Sequence, residues 1–240
     1  MIIRSCGAHG VPAAIGIAAF LVCSASAGII HGTGEGIGTR DSYWKVIAGP
    51  STFTPPTGDS YSNGGYAAYT IPDGIPPNWL GGAWLGGDGS NRYTDPLDGV
   101  QYRWISAAPT AGSLVGGAYH WVVAQTFTVE VSGDYNLSFR GAADEIMYFF
   151  VDGSLDLSNP SLPTITGGQS IGSLTGFGAI STISKTIHMD AGQHTAYMAL
   201  RDTGWASGAL ITSSSFTAVP APGAIALLGV AGLVGRRRRH

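Results

Sequence analysis

The sequence predicts an all-β fold, an antiparallel sandwich or barrel, from three observations. Glycine supplies 37 of the 240 residues and charged residues only 11%, while Thr, Ser, Val, Ile and aromatics are spread along the chain. Between residues 28 and 217 no stretch sustains the i, i+3, i+4, i+7 apolar spacing of a buried helix face. Short β-rich runs are punctuated instead by Gly, Pro, Asn and Asp. No fixed-period repeat is present, which sets aside solenoids and propellers.

Taken in order, Gly28–Gly38 reads as a loose lead-in or first edge strand, and Asp41–Ala48 as a strand. Pro50–Gly65, with its three prolines, reads as loop. Tyr66–Ile71 is a short strand stopped by Pro72-Asp73-Gly74. Pro76–Thr94 is dense in turn residues yet carries Trp79, Trp84 and Tyr93. Val100–Ile105 alternates, placing Tyr102 and Trp104 on one face and Gln101 and Arg103 on the other.

The second half is more regular. Tyr119–Val131 places Phe127, Val129 and Val131 inward. After the turn Ser132-Gly133-Asp134, the strand Tyr135–Gly141 places Tyr135, Leu137 and Phe139 inward. Ile146–Val151 is apolar throughout, the pattern of a strand covered on both faces. Asp152-Gly153 is a hairpin-turn dipeptide, and Gly167–Gly178 reads as a flexible loop. Ile180–Met189, Gln193–Arg201 and Gly208–Thr217 are expected as three closing strands.

Both ends carry addresses. Arg4 precedes the mostly apolar Val11–Val22, and Ala25-Ser26-Ala27 is a small-x-small site for cleavage before Gly28, the three-part form of a secretory signal helix read by a signal peptidase. Cys23 follows Val22 rather than a small residue, which argues against lipidation. At the other end, Val219-Pro220-Ala221-Pro222 leads into the apolar run Gly223–Gly235 and then Arg236-Arg237-Arg238-Arg239. Thirteen apolar residues fall short of the roughly 20 of a spanning helix. The arginine cluster holds such a short helix on the cytoplasmic side of a membrane.

The ends also change the balance of the body. Both cysteines, Cys6 and Cys23, lie inside the signal, so residues 28–217 have no disulfide, thiolate metal site or cysteine nucleophile. Those 190 residues are ample for a buried core. Removing Arg4 and the four terminal arginines leaves seven basic residues against fifteen acidic, so the body carries 7 − 15 = −8. That balance argues against nucleic-acid binding and is compatible with a solvated extracellular surface or with calcium.

Two resemblances follow. The Pro-Ala-Pro tripeptide, apolar run and Arg cluster resemble a PEP-CTERM sorting segment, with Ala221 standing where the family's motif has Glu. The resemblance implies an exported bacterial protein held transiently in the inner membrane, processed by an exosortase-type enzyme, and destined for the cell envelope, the cell surface or the extracellular matrix. The implied organisation is a signal over 1–27, a body over 28–217 (regular over 118–217, loop-rich over 28–117) and a sorting segment over 218–240. Separately, Gly133-Asp134-Tyr135, Ala143-Asp144-Glu145, Val151-Asp152-Gly153, Asp190–Thr195 and Arg201-Asp202 resemble a galactose-binding-like jelly-roll over Tyr119–Thr217. This resemblance implies the sandwich fold and leaves the ligand open.

Four constellations could carry chemistry. Of the tryptophans 44, 79, 84, 104, 121 and 205, Trp79 and Trp84 stand in a turn-rich region beside Asp88, Asn91, Arg92 and Asp95. Indoles there either stack on sugars, with the polar neighbours holding hydroxyls, or pack long loops onto the sandwich; Trp104 and Trp121 stand in strand patterns as core. Asp152 and Asp156 alternate with Ser154 and Ser158 and, with Asp144 and Glu145, form a candidate calcium site of sandwich type. They lack the EF-hand pattern, and Asp152-Gly153 is also plain turn chemistry. Gly168-Gln169-Ser170-Ile171-Gly172 matches the nucleophile-elbow spacing with no helix-forming segment after it. The body histidines, His31, His120, His188 and His194, show no metal-ligand spacing. The expected function is an exported, non-enzymatic structural or polysaccharide-binding protein, with exopolysaccharide as partner. A secreted esterase or glycosidase using Ser170 is the alternative.

Overall fold

The computed structural model describes residues 29–34, 40–49, 54–55, 57–62, 64–71, 92–109, 119–159, 161–203 and 207–220. The expected signal, with Ala25, Ala27 and Gly28, and the expected sorting segment from Ala221 through Arg236–Arg239, lie outside them, as do Trp79, Trp84, Asp88, Asn91 and Trp205.

The described residues form fourteen strands: β1 Arg40–Ala48, β2 Tyr66–Thr70, β3 Arg92–Thr94, β4 Gln101–Arg103, β5 Ile105–Ser106, β6 Tyr119–Val129, β7 Gly133–Ala143, β8 Ile146–Val151, β9 Ser154–Asp156, β10 Thr164–Thr166, β11 Gln169–Thr175, β12 Ser181–Met189, β13 Gly192–Asp202 and β14 Ala209–Ala218. The described residues form no helix. Ten strands make one sheet in the order β11-β8-β13-β6-β1-β2-β5-β14-β7-β12, with β9-β10 and β3-β4 as separate ribbons. Because β1, β2 and β5 join that sheet, the loop-rich first half and the regular second half share one hydrogen-bonded frame.

The sheet doubles over into two layers. β11-β8-β13-β6-β1 forms one and β14-β7-β12 the other, with β2 and β5 carrying the bonding between them. Aromatic pairs mark the contact: Phe139 on β7 stacks on Phe149 on β8 at 4.5 Å, and Phe216 on β14 meets Phe127 on β6 edge-on at 5.5 Å. At the far side the two ends of the sheet meet. A Cβ built on Gly172 of β11 would sit 3.5 Å from the Ile183 Cβ on β12.

Period-2 alternation explains most of this arrangement. Trp44, Val46, Trp121, Val123, Met147, Phe149, Met198 and Leu200 project inward from the first layer, and Tyr135, Leu137, Phe139, Ile187 and Ile211 from the second. Trp44, Trp104 and Trp121 are fully buried, which removes Trp44 from the candidate ligand aromatics and places Trp104 and Trp121 as expected. The Trp121 Nε1–H donates to Ser207 Oγ at 2.7 Å, so the indole is satisfied as well as packed.

Three expectations are corrected. The Val100–Ile105 strand breaks at Trp104: β4 pairs with β3, while β5 pairs with β2 and β14, so the chain changes partners there. Val131 is 47% exposed because β6 ends at Val129 and the turn carries Val131 off the inward face. Gly167–Gly178 is largely an edge strand, β11, despite its low β-propensity. Its backbone pairs along β8, and Ile171 and Leu174 reach the core.

The lead-in is built into the structure. Thr33 is fully buried. Its N–H donates to the Ile211 carbonyl (2.9 Å), its hydroxyl to the Arg103 carbonyl (2.9 Å), and its Oγ1 accepts the Ile211 N–H (2.9 Å). One threonine thereby stitches the N-terminal segment to β4 and β14.

Candidate functional site

Asp152-Gly153 shows why the acids of the expected calcium site do not meet. Both residues have positive φ, 58° and 99°, the turn geometry that Asp-Gly accommodates. The turn leads into the β9-β10 ribbon before β11 returns along β8. Asp152 Oδ2 lies 2.7 Å from His194 Nδ1, and Oδ1 accepts the Thr195 N–H at 3.1 Å. Asp156 caps its own turn through the Ser158 N–H at 2.8 Å. Asp144 and Glu145 stand at the opposite end of β8, and six extended residues span roughly 17–20 Å. The four acids therefore form two separate pairs. Among the described residues no group of three or more His, Cys, Asp or Glu side chains is placed to hold a metal.

Ser170 sits inside strand β11, and a strand, not a helix, follows it, so the nucleophile-elbow geometry is absent. The His188 Nδ1 lies 2.8 Å from Asp134 Oδ1 on the neighbouring strand of the second layer. Gln169 Nε2 donates to the His188 carbonyl, and Lys185 Nζ to the Ser170 carbonyl at 2.6 Å. These bonds tie β11 to β12 across the rim. Arg92 lies on β3 opposite Arg103, its Nη1 3.5 Å from Gln101 Oε1; of the expected glycan residues it alone is among the described ones.

Two further features border the first layer; the sequence reading named Asp144, Glu145 and Asp202 but not the cluster they form, and it did not name the second feature. One is a polar cluster at the β7–β8 turn and the end of β13. Asp202 is fully buried and Asp144 nearly so, at 6% exposure. Burial, then the charge of Asp202 and that of Glu145, pushes the Asp144 carboxyl up to about 7, against one hydrogen bond from the Glu145 backbone. Glu145, at φ 49°, accepts the Thr203 N–H at 3.1 Å and the Thr203 hydroxyl, fastening the chain just beyond β13. His120, opposite Arg201, has a buried Nδ1 without a hydrogen-bond partner among the described residues. Burial, then the Arg201 charge, holds its pKa below the usual histidine value.

The other is the outer face of the same layer. Registry aligns Phe150, Tyr197, Ala124 and Lys45 across β8, β13, β6 and β1, and the next outward row is Tyr148, Ala199, Val122 and Ala48. Ala48, Val122, Ala199 and Ile165 form a small second core, with Ile47, Tyr148, Phe150, Leu155 and Tyr197 packed on it and only partly buried. Leu155 and Ile165 come from the β9-β10 ribbon, which folds over this face. The Arg201 guanidinium lies 5.1 Å from the Tyr148 ring centroid, within cation–π range. The face thus offers half-buried ring surface beside an exposed cation, and the continuous apolar run of β8 was the trace of it in the sequence.

No protein-family model matches this chain, and no curated protein does. Solved structures do. The structure of TmCBM61 in complex with beta-1,4-galactotriose matches at 13% identity and TM-score 0.31, covering 44% of this chain and 67% of that one. The carbohydrate binding module CBM6cm-2 from Cellvibrio mixtus lichenase 5A, in complex with cellotriose, matches at 15% identity and TM-score 0.29, covering 55% and 89%. A CBM4 structure matches at 18% identity and TM-score 0.30, covering 57% and 84%. The sandwich architecture itself rests on the strand pairings and layer contacts of this chain.

Proposed function

We propose that this chain is an exported, non-enzymatic surface protein whose sandwich binds polysaccharide on the outer face of β8 and β13. One observation carries the reading: Phe150 pairs with Tyr197 across β8 and β13, and Tyr148 stands two residues along β8 on the same face, each only partly buried, with the Arg201 guanidinium against Tyr148. Sugar rings present C–H faces that lose water favourably against such rings, while a charged side chain at the edge holds hydroxyls or charged substituents. A carboxylate cluster and a chain fastened by Glu145 border that edge. The signal peptide and the exosortase-type segment complete the proposal by delivering the body to the envelope or matrix.

The test is binding to a polysaccharide panel, in calcium and again in chelator, by the purified protein and by Tyr148→Ala and Tyr197→Ala. The expected result is binding that falls about tenfold in either variant, equivalent to ~1.4 kcal/mol, with the β-sheet circular dichroism spectrum retained. Binding that both variants retain in full would overturn the assignment of the face.

A further inference from the structure

We infer that the polysaccharide this face selects is anionic, a carboxylated (uronate) polymer; the inference rests on the reading just given. Its basis is where the cations stand. The body has seven basic residues. Arg40 pairs with Asp59 at 2.9 Å and Arg140 with Asp95 at 2.5 Å, Lys185 donates to a backbone carbonyl, and Arg92 and Arg103 lie on the β3-β4 ribbon. The remaining two, Lys45 and Arg201, both project from the outer face of the first layer, both exposed, and neither forms a salt bridge among the described residues.

Within the strands of that layer no exposed acid opposes them. In the five strands β11, β8, β13, β6 and β1 the only acids are Asp41 and Asp202, 2% and 0% exposed. Asp41 is turned inward, accepting the N–H groups of Gly34, Tyr43 and Trp44. Glu145, beside the end of β13, directs its carboxylate to Thr203. A body with a formal charge of −8 from its seven basic and fifteen acidic residues thus presents one sheet face whose exposed strand charges are both positive, with Asp152 and Asp156 only at the edge where the β9-β10 ribbon starts, and such a face attracts anions against the field of the whole.

Geometry narrows the class. Arg201 and Lys45 are two strands and four residues apart in register, about 16 Å at ~4.8 Å per strand and ~3.3 Å per residue. That spacing suits a polymer bearing repeated charge better than a single small anion. The guanidinium fork matches a planar carboxylate with two parallel hydrogen bonds, and Tyr148 holds that fork at the rim of the aromatic rows.

The experiment compares alginate with neutral β-glucan and galactan by affinity electrophoresis, using the purified protein, Arg201→Gln, Lys45→Gln, their double variant and Tyr148→Ala. Alginate retardation should exceed that by either neutral polymer, weaken at least tenfold in the double variant, and fall between 50 and 500 mM salt. Binding to the neutral polymers that Tyr148→Ala abolishes but the charge variants leave intact would overturn the anionic preference and keep the face. Retardation by no polymer would overturn the face itself and the preference with it. Circular dichroism melts of each variant separate lost binding from lost fold.

Discussion

Replacing Asp144 by Asn should stabilise the protein in alkaline solution and not in acid. An aspartate released by unfolding ionises near 3.8, whereas Asp144 in the folded chain is held at about 7 by burial and by the charges of Asp202 and Glu145. Because the folded value is raised, stability is greatest below pH ~4, declines as pH rises toward 7, and levels off above. A gap of about three units corresponds to ~4 kcal/mol at ~1.4 kcal/mol per unit. Asp202 remains buried beside the site, and the two acids share their repulsion, so a gain of ~2–4 kcal/mol at pH 8 is expected. For a body of this size that is roughly 4–16 °C in melting temperature. Urea and thermal melts of both proteins at pH 4.5 and pH 8 measure it. A gap independent of pH, or a variant less stable than the parent at pH 8, would refute the claim that Asp144 is buried among acids.

Other substitutions follow from single contacts. Arg140→Met should cost ~3–5 kcal/mol in urea melts, because Asp95 is fully buried and its carboxyl, which burial alone would raise, is held below the usual range by the Arg140 hydrogen bond and those of Leu97 and Thr212; a cost under 1 kcal/mol would contradict that. Thr33→Val keeps the shape but leaves the buried Ile211 N–H without its acceptor, so a loss of ~1–3 kcal/mol is expected in the same assay. His194 is pulled down by burial but raised overall by Asp152 and the Asp190 backbone. Its pair contributes fully below about pH 6.5 and fades as pH rises through the folded value. His194→Ala should therefore cost about 1 kcal/mol more at pH 5.5 than at pH 8.5, a modest figure because Asp152 is 42% exposed. Chelator should leave the melting temperature unchanged, since the acids at the two ends of β8 cannot share an ion.

The strands with strong alternation were legible in the sequence because one buried face suffices to write a period-2 pattern. Phe127 and Val129, then Tyr135, Leu137 and Phe139, fell inward as read. β11 was hidden because its pairing is carried by backbone bonds to β8, and a Gln-Ser-Ile-Gly-Ser-Leu-Thr sequence advertises only two core side chains. The break at Trp104 was hidden for a related reason: alternation continues through it while the partner strands change. Asp152-Gly153 announced its turn but not the ribbon that the turn launches. The outer aromatic face depends on registry between β8 and β13, residues about fifty apart in the chain; the apolar run of β8 hints that its outer side is covered but not what stands beside it. Arg201 and Lys45 likewise became a pair of cations on one face only through two strand alignments.

Equilibrium depletion on immobilised alginate tests the binding face most directly, with the parent protein, a Tyr148→Ala/Tyr197→Ala double variant and a Trp79→Ala/Trp84→Ala double variant run side by side. Loss of binding in the tyrosine variant, with the tryptophan variant retaining most of it, is the expected result. Loss in the tryptophan variant while the tyrosine variant binds as the parent does would contradict it, moving recognition from the sheet face to the segment between β2 and β3.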